Sequence, residues 1–559
     1  VSERALPEIT LLTEDYWTGG AAGELRMCGC RDCGALIHPP APACRWCGSL
    51  DTATRVVSGR GTVVGVTVDA HPWDPAFPPP YVVANVALDE DPRARIVTNI
   101  VEVEPDAAVV GLRVEVCFEH VDDVWLPVFA PADEPPVDEL PPEDIPAGEH
   151  WRHVRPMAST RRFEDDVVLS GIGMSQVGRR LMRPPLALTV EAITRAIEDA
   201  GLTRDDIDGL STYPGMGTVP GMGEGGIPDV ADALGLQPTW YNGGQDTFGP
   251  SGSVIAAMLA VSAGLARHVV CFRTVWQSTF TELLRSGRVT TTAQANGIPA
   301  GGRASGDWTW LTPYGVGSAA LLLALPASNH FHRHGTTRET LGWIAINARR
   351  NAALNPDAIY TDPMTMDDYL GARPITTPFG LLDCDIPCDG AVAVIVSAAD
   401  AVGELASTPV RVEAVGTQIT ERASFVASTT THEPQTLGPA AHLWSRTSLR
   451  PADVDVAQLY DGFTFNCLSW IEALGFCGIG EAKDFLAGGH NIALDGVLPV
   501  NTSGGQLSAG RLHGMGLVHE AVVQLRGEGG ARQVADARTA VVTSGGLSPA
   551  GAMLLRRDG

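Results

Sequence analysis

The sequence predicts an α/β protein built of three units in series: a four-cysteine ribbon, a small β-barrel and a duplicated α/β domain. Three observations carry this. Two Cys-x-x-Cys pairs stand close together near the start, Cys30-Arg-Asp-Cys33 and Cys44-Arg-Trp-Cys47. Short β-branched segments separated by turn residues follow as far as Glu119. From Val167 onward, strands and helices alternate, and their order recurs in the last third of the chain. At 559 residues, the chain is too long for one hydrophobic core, so several units are required.

Each Cys-x-x-Cys is a knuckle whose tight turn points two thiolates at one ion, and the glycine after each second cysteine relieves the turn. Two knuckles make a closed tetrahedral site with no position for water. A structural zinc held by Cys30, Cys33, Cys44 and Cys47 is therefore expected, with Cys28 outside the ligand set. Five of the 11 cysteines lie between Cys28 and Cys47 and the others are scattered, which favours metal binding plus free buried thiols over disulfides. Val1-Ser-Glu-Arg leads into acidic residues with no basic or apolar leader pattern, so a cytoplasmic protein is expected. The longest apolar run, Val254 to Val261, falls far short of the ~20 residues of a membrane span. A net charge of −26 argues against nucleic acid or an anionic membrane as partner, since both need a basic face. A local basic pocket for a phosphorylated ligand remains compatible with it.

The barrel is read from Gly59-Arg-Gly-Thr-Val-Val-Gly-Val-Thr-Val, Tyr81-Val-Val-Ala-Asn-Val-Ala-Leu, Arg95-Ile-Val-Thr-Asn-Ile-Val and Leu112-Arg-Val-Glu-Val-Cys-Phe-Glu. These partly alternating segments fit a five-stranded OB-like barrel. It lacks the basic, aromatic-studded face of a nucleic-acid-binding barrel. The acidic, Pro-rich stretch from Pro131 to Pro146 reads as a stiff linker. The divisions are thus 15–50 for the ribbon, 51–130 for the barrel, 131–164 for the linker and 165–559 for the α/β domain.

In that last domain Val167-Val-Leu-Ser-Gly-Ile-Gly reads as a buried strand, Leu186 to Ala200 as an amphipathic helix, and Ser251 to Gly264 as a small-residue helix after Asn242-Gly-Gly. His268-Val-Val-Cys-Phe and Ser318-Ala-Ala-Leu-Leu-Leu-Ala-Leu are taken as later strands. The order then recurs. Leu449-Arg-Pro-Ala-Asp-Val-Asp parallels Leu202 to Asp208, and Asn501-Thr-Ser-Gly-Gly precedes a helix near Met515 to Leu525. Thr539-Ala-Val-Val-Thr-Ser-Gly-Gly and Gly551-Ala-Met-Leu-Leu match the two later strands. Two similar halves follow, about 165–330 and 405–559, with a site where helix N-termini and glycine loops face each other.

The ribbon followed closely by Ser58-Gly-Arg-Gly-Thr-Val resembles the small OB-fold proteins that accompany thiolase-like enzymes acting on acyl-CoA, as partner subunits or fused domains. Four segments of the larger domain resemble the thiolase superfamily, within it the sterol-carrier-type thiolases and thiolase-like aldolases. They are Asn242-Gly-Gly through Gly264, Leu382-Asp-Cys-Asp-Ile-Pro-Cys-Asp-Gly-Ala-Val-Ala, Leu459-Tyr-Asp-Gly-Phe-Thr, and Gly504-Gly-Gln-Leu-Ser-Ala-Gly-Arg-Leu-His-Gly. The resemblance implies a duplicated five-layer domain, a coenzyme A thioester as substrate and a homodimer. The dimer seam is expected at a strand edge near Val269 to Thr274.

Against that family pattern the acyl-transfer groups are missing. The nucleophilic cysteine position falls at Gly249, the His-Asp-Cys-Phe histidine is Tyr460, the Gly-His-Pro histidine is Arg511, and the late cysteine is Ser544. Parking an acyl group needs a nucleophile. Stabilising a thioester enolate needs only donors, for which the resemblance points to Gly249, Gly545 and Gly546. An enolate pocket without a nucleophile points to aldol or retro-aldol chemistry on a 3-hydroxyacyl-CoA. That is a carbon–carbon lyase, as the thiolase-like aldolases are. The rival readings are an acyltransferase or condensing enzyme with another nucleophile, and a silent acyl-CoA-binding subunit.

Tyr460 is the candidate acid/base, because a phenol matches an alkoxide proton if a neighbour lowers its pKa. Arg511 and His513, in the opposing loop, are expected to do so. The related aldolases tend to carry a second tyrosine where Arg511 stands. The bland alternatives are a buried hydroxyl for Tyr460 and a packing role for His513. Asp461 reads as an acceptor that orients a loop, Asp389 as a turn holder, and Cys384 and Cys388 as buried thiols. His330-Phe-His-Arg-His334 is expected to be surface decoration, and Gly221 to Gly226 is not a nucleotide loop.

Overall fold

A computed structural model describes residues 4–141, 153–213, 226–244, 247–289, 301–420, 433–546 and 549–558. The ribbon is a three-stranded sheet of β1 (Leu25–Cys30), β2 (Leu36–Ile37) and β3 (Thr52–Val57), with β1 central. Each knuckle closes on itself: Gly34 N–H donates to Cys30 O and Gly48 N–H to Cys44 O. Both glycines have a φ of 76°, the left-handed region that a side chain resists.

The barrel strands are β4 (Arg60–Asp69), β5 (Tyr81–Leu88), β6 (Asp91–Asn99), β7 (Arg113–Val121) and β8 (Val124–Pro131). β4 pairs with both β5 and β7, β7 pairs with β8, and a bridge between Ile100 and Phe129 closes the ring. This is the five-stranded barrel that the alternation predicts.

The larger domain contains β9 (Val167–Met174), α1 (Pro185–Ala200), β10 (Gly209–Thr212), α2 (Ile227–Leu234), β11 (Trp240–Asn242), α3 (Pro250–Ser262), β12 (His268–Trp276) and α4 (Gln277–Arg285). α5 (Ala319–His334), α6 (Arg338–Ala352), β13 (Pro374–Thr376), β14 (Phe379–Gly380) and β15 (Asp389–Ala398) follow. The second half has β16 (Val410–Gly416), α7 (Glu433–Ser445), β17 (Val456–Gln458), α8 (Thr464–Ala473), α9 (Met515–Arg526), β18 (Thr539–Ser544) and β19 (Gly551–Arg557). The strands run β11-β10-β12-β15-β9-β16-β19-β18-β17, with β9 and β16 joining the halves.

Period-2 alternation sorts the side chains into layers. Val269 and Cys271 of β12, with Val392, Val394 and Val396 of β15, pack inward on α3 and α9 together with Ala540, Val542 and Met553 of the second half. Val270, Phe272, Ala391 and Ala393 face outward onto α1 and α2. Val541, Ala552 and Leu554 face the opposite way onto α7 and α8. Helices, sheet, central helix pair, sheet and helices make five layers.

Three expectations are corrected. Ser318 to Leu325 is not a strand: it opens helix α5, capped by Ser318 Oγ accepting from Ala320 N–H. Its Ala/Leu-rich run has helix-forming rather than β-branched side chains, and it is apolar on most faces because it is wedged between barrel and core. The first half therefore extends beyond 330 and is closed by β15, the true counterpart of β19. Finally, Val269–Thr274 is no edge, since β12 is paired on one side with β10 and on the other with β15. The edge strands are β11 in the first half and β17 in the second.

The barrel is docked on the insertion between β12 and β15. Thr376 of β13 pairs with Asp69 at the end of β4. Leu321, Leu322 and Leu325 of α5 enter the barrel's own core. At the bulge in β4, Ser328 Oγ accepts from Val66 N–H and Asn329 donates to Val64 O, so the interrupted ladder is satisfied from α5. Trp310 stacks on Trp17 at 4.9 Å. No single helix among the described residues is long and apolar enough to cross a membrane.

Candidate active site

The two central helices begin side by side. Gly249 caps α3 with a φ of 71° and Gly514 caps α9 with a φ of 90°. A Cβ placed on Gly249 would lie 3.6 Å from Ser544 Oγ and 3.9 Å from His513 O. One on Gly514 would lie 3.1 Å from Ser544 Oγ and 3.3 Å from Tyr460 Cδ2. The structure thus brings Gly249, Tyr460, His513 and Ser544 together. Among the described residues the room beside Gly249 holds no thiol, and the side-chain atom nearest to it is Ser544 Oγ. Ser544 Oγ is buried without a hydrogen-bond partner.

Tyr460 follows β17, its N–H donated to Thr543 Oγ1 at 2.8 Å. Its ring folds over Gly462, where a Cβ would come within 2.8 Å of it. Burial drives the phenol well above its usual pKa, and the charge of Asp385 adds to this while Arg511 opposes it. The expected lowering by neighbours does not occur: desolvation outweighs the single cation, and His513 brings no charge. Arg273 NH2 donates to His513 Nδ1 at 2.8 Å. Burial, with Arg273 and Arg511, holds the imidazole well below its ordinary pKa.

Arg511 is tied down on two sides, Nε to Asp385 at 3.1 Å and Nη1 to Gln277 Oε1 at 3.0 Å. Burial pushes the Asp385 carboxyl up to about 6 against the pull of Arg511. Asp461 accepts Gln506 N–H with both oxygens, at 2.9 and 3.1 Å, and burial raises it to about 7. It anchors the single π-turn Gly505–Ala509, a geometry often found at functional sites. The Gly545 and Gly546 carbonyls accept from Trp470 Nε1 and Asn466 Nδ2 of α8, which pins that turn against the site. Behind the same loop a small cavity of about 70 Å³ is lined in part by Met174, Val177, Gly510, Leu512, Gly514 and Leu517.

Asp389 gathers four donors, from Leu181 N, Thr279 N, Thr279 Oγ1 and Ser278 Oγ, and so fixes the start of α4. Burial raises the thiol pKa of Cys271, Cys384 and Cys388. His330 is not decoration: it is buried and bonded to Glu472 at 3.1 Å and Thr336 at 3.0 Å. Its partner lies 142 residues away, beyond any local spacing rule. The stretch 221–225 lies outside the described residues. Sequence reasoning missed Arg273, Asp385, Gln277 and Gln506. Only Arg273 carried a signal, as a lone cation in the apolar run His268-Val-Val-Cys-Phe-Arg.

In the ribbon, Cys30, Cys33, Cys44 and Cys47 present sulfurs all within 4.8 Å of one another, and Cys28 is outside the group. The Cys30–Cys47 and Cys33–Cys44 separations of 3.6 Å match the ~3.8 Å edge of a tetrahedral zinc–sulfur site. The site is a structural zinc centre.

Fold and site define a thiolase-type α/β domain stripped of its acyl-transfer nucleophile, with a zinc-ribbon and OB-fold module in front. Residues 17–53 match the rubredoxin-like zinc ribbon domain of ChsH2, 54–119 its C-terminal OB-fold domain, and 417–556 the thiolase C-terminal domain-like family. The chain is 34% identical over 395 residues to a steroid side-chain-cleaving aldolase of Thermomonospora curvata, covering 70% of this chain and 97% of that protein. It is 34% identical over 390 residues to the 17-hydroxy-3-oxo-4-pregnene-20-carboxyl-CoA lyase of Mycobacterium tuberculosis, covering 69% and 97%. The solved structure of an Ltp2-ChsH2(DUF35) aldolase is matched with a TM-score of 0.61 at 31% identity, covering 70% of this chain and 98% of that one. The chain belongs to the thiolase-like aldolases, carbon–carbon lyases of the thiolase superfamily, and carries the ribbon and OB fold on the same polypeptide.

Proposed function

We propose that the chain cleaves a 3-hydroxyacyl-CoA by retro-aldol reaction, or forms it in reverse, with Tyr460 moving the hydroxyl proton. The observation that carries this is the placing of Tyr460 at Gly514, the head of α9, with Ser544 Oγ between it and the thiol-free head of α3 at Gly249. In the cleavage direction the 3-hydroxyl gives its proton to the Tyr460 oxygen and the C2–C3 bond breaks. The electron pair moves to the thioester oxygen as an enolate, and a ketone or aldehyde departs. The enolate then takes that proton back from the Tyr460 phenol at C2, which gives the shortened acyl-CoA and restores the phenolate. Backbone donors at Gly249, Gly545 and Gly546, with the His513 ring, surround the thioester oxygen. Arg511 stabilises the phenolate form, which the buried site otherwise disfavours. Asp461 acts by holding the loop. The names of the relatives point to a steroid-like acyl group as the substrate class.

The test is mass spectrometry on the purified protein with a panel of 3-hydroxyacyl-CoAs, steroid-derived ones included. A released carbonyl compound and a shortened acyl-CoA are expected. An acyl adduct on the protein without carbonyl release would overturn the reading in favour of acyl transfer.

The chain works as a homodimer in the cytoplasm. The unpaired edge of β11, with Tyr241, Leu259 and Leu265 exposed beside it, supplies the seam. Light scattering that gives a monomer at micromolar concentration would remove it.

A further inference from the structure

We propose that Arg273 is a positioning residue that locks His513 as a neutral hydrogen-bond donor, its one proton held on Nε2. The inference rests on the retro-aldol reading for its purpose but not for its geometry. Alternation along β12 puts Arg273 on the same face as Val269 and Cys271, at the end of the strand where α3 and α9 begin. A fully buried guanidinium there is expensive unless every contact is used. Its Nη1 donates to Tyr213 O at 2.9 Å, and Nη2 donates to His513 Nδ1 at 2.8 Å. Its carbon lies 5.6 Å from the Tyr213 ring centre.

A guanidinium has donors only and does not deprotonate. The His513 Nδ1 it touches must therefore be the lone-pair nitrogen, which leaves the ring proton on Nε2. Among the described residues the charges that act on the ring are cations from two sides, Arg273 of β12 and Arg511 of its own loop. Asp385 of that loop cluster is engaged by Arg511, and burial raises the phenol pKa of Tyr460 and Tyr213. Protonating the ring would set a third positive charge against these two and break the Arg273 bond.

The backbone supports a dedicated role. His513 has a φ of 52°, in the left-handed region, between the positive-φ Gly510 and Gly514. A side chain kept there at a cost is held for what it does. The product is a donor that cannot become an acid within the working pH range. It can hydrogen-bond a developing enolate oxygen but cannot quench it with a proton.

Nitrogen-15 NMR of histidine-labelled protein tests this, with His513→Gln assigning the signal. In the wild type His513 stays neutral with a protonated Nε2 from pH 5.5 to 8. In Arg273→Met the ring loses its fixed tautomer, so a signal from the Nδ1-protonated form appears, and kcat falls ~10²-fold with KM little changed. Arg273→Lys, which keeps a cation and one donor, restores the Nε2 tautomer and part of kcat. His513→Gln keeps an acceptor for Arg273 and a donor for the site, so it should outperform His513→Leu by ~10-fold or more. That pair decides the matter even if Arg273→Met does not fold. A wild-type His513 that titrates near 6.5, or equal rates for the Gln and Leu variants, overturns the proposal. Loss of all lyase turnover with the neutral ring intact would instead sink the retro-aldol reading alone.

Discussion

Gly249 at the head of α3 and Gly514 at the head of α9 hold equivalent places in the two halves, but their surroundings differ. Around Gly514 the second half supplies Tyr460, Arg511, His513 and Ser544. Around Gly249 the first half supplies backbone and the buried Arg273 behind it. The connections differ in the opposite sense. Between β18 and β19 the second half has only six residues, 545–550. Between β12 and β15 the first half inserts α4, α5, α6 and the β13–β14 hairpin, and the barrel docks on that insertion. Duplication thus supplied one frame twice; one copy kept the polar side chains, and the other became the platform for the module. A lyase needs no covalent carrier, so the first half could lose its nucleophile without losing its place in the site.

The largest break in this asymmetry should come from Tyr460→Phe. The variant removes one oxygen while the ring keeps its packing over Gly462 and Gly514, so the thermal midpoint should stay near the wild-type value. Loss of a positioned acid/base should lower kcat by about 10²–10⁴-fold. A wild-type rate in steady-state cleavage assays would remove Tyr460 from the mechanism and leave Arg511 and His513 to be tested next.

How much of this was legible depended on the range of the interaction. The knuckles, the barrel strands and the repeated helix–strand order are local patterns, and the structure follows them. Ser318 to Leu325 failed because an apolar run buried on most sides has no periodicity to separate strand from helix. The site residues Tyr460, Arg511 and His513 came from motif positions. Their electrostatics did not, because the phenol's pKa is set by burial and by Asp385, which only the fold brings near. His330 and Glu472, far apart in sequence, make the same point.

Next in size is Cys44→Ser. One zinc per chain is expected by metal analysis of the wild type, and its loss should melt the ribbon, whose folding the metal supports directly. A separate low-temperature transition should appear in calorimetry. The transition of the α/β domain should remain, because its five layers do not run through the ribbon. Any loss of lyase rate should be far below that of Tyr460→Phe, since the ribbon packs through Trp17 and His38 on Trp310 of the insertion. A single collapsed transition would mean that module and catalytic domain fold as one unit.

Asp385→Asn probes the charge balance over the phenol. Asp385 raises the Tyr460 pKa and Arg511 lowers it. Cleavage requires the phenolate, so the rate should climb with pH as Tyr460 ionises. Removing the carboxylate takes away one raising charge and leaves Arg511 less neutralised; both changes lower the phenol pKa. The alkaline limb of kcat/KM should therefore move to lower pH by about one unit. Arg511→Met should move it upward and slow the reaction at pH 7.5. A limb that stays in place in both variants would mean that another group titrates.

The smallest effect is expected from thiol alkylation, and its smallness is the point. The first half would regain a thiolase character only if some cysteine took over from Gly249. Burial holds Cys271, Cys384 and Cys388 each above its ordinary pKa, so they stay protonated and poor nucleophiles. Cys388 also points its sulfur at Arg511 O, 3.3 Å away, rather than into the room beside Gly249. Brief treatment with iodoacetamide should therefore leave most of the cleavage rate, provided zinc measured in the same sample shows the ribbon intact. If activity vanishes with zinc retained, and intact-mass spectra of untreated enzyme with substrate reveal an acyl adduct on one of these three cysteines, then the nucleophile was relocated rather than lost, and the two halves remain partners in acyl transfer.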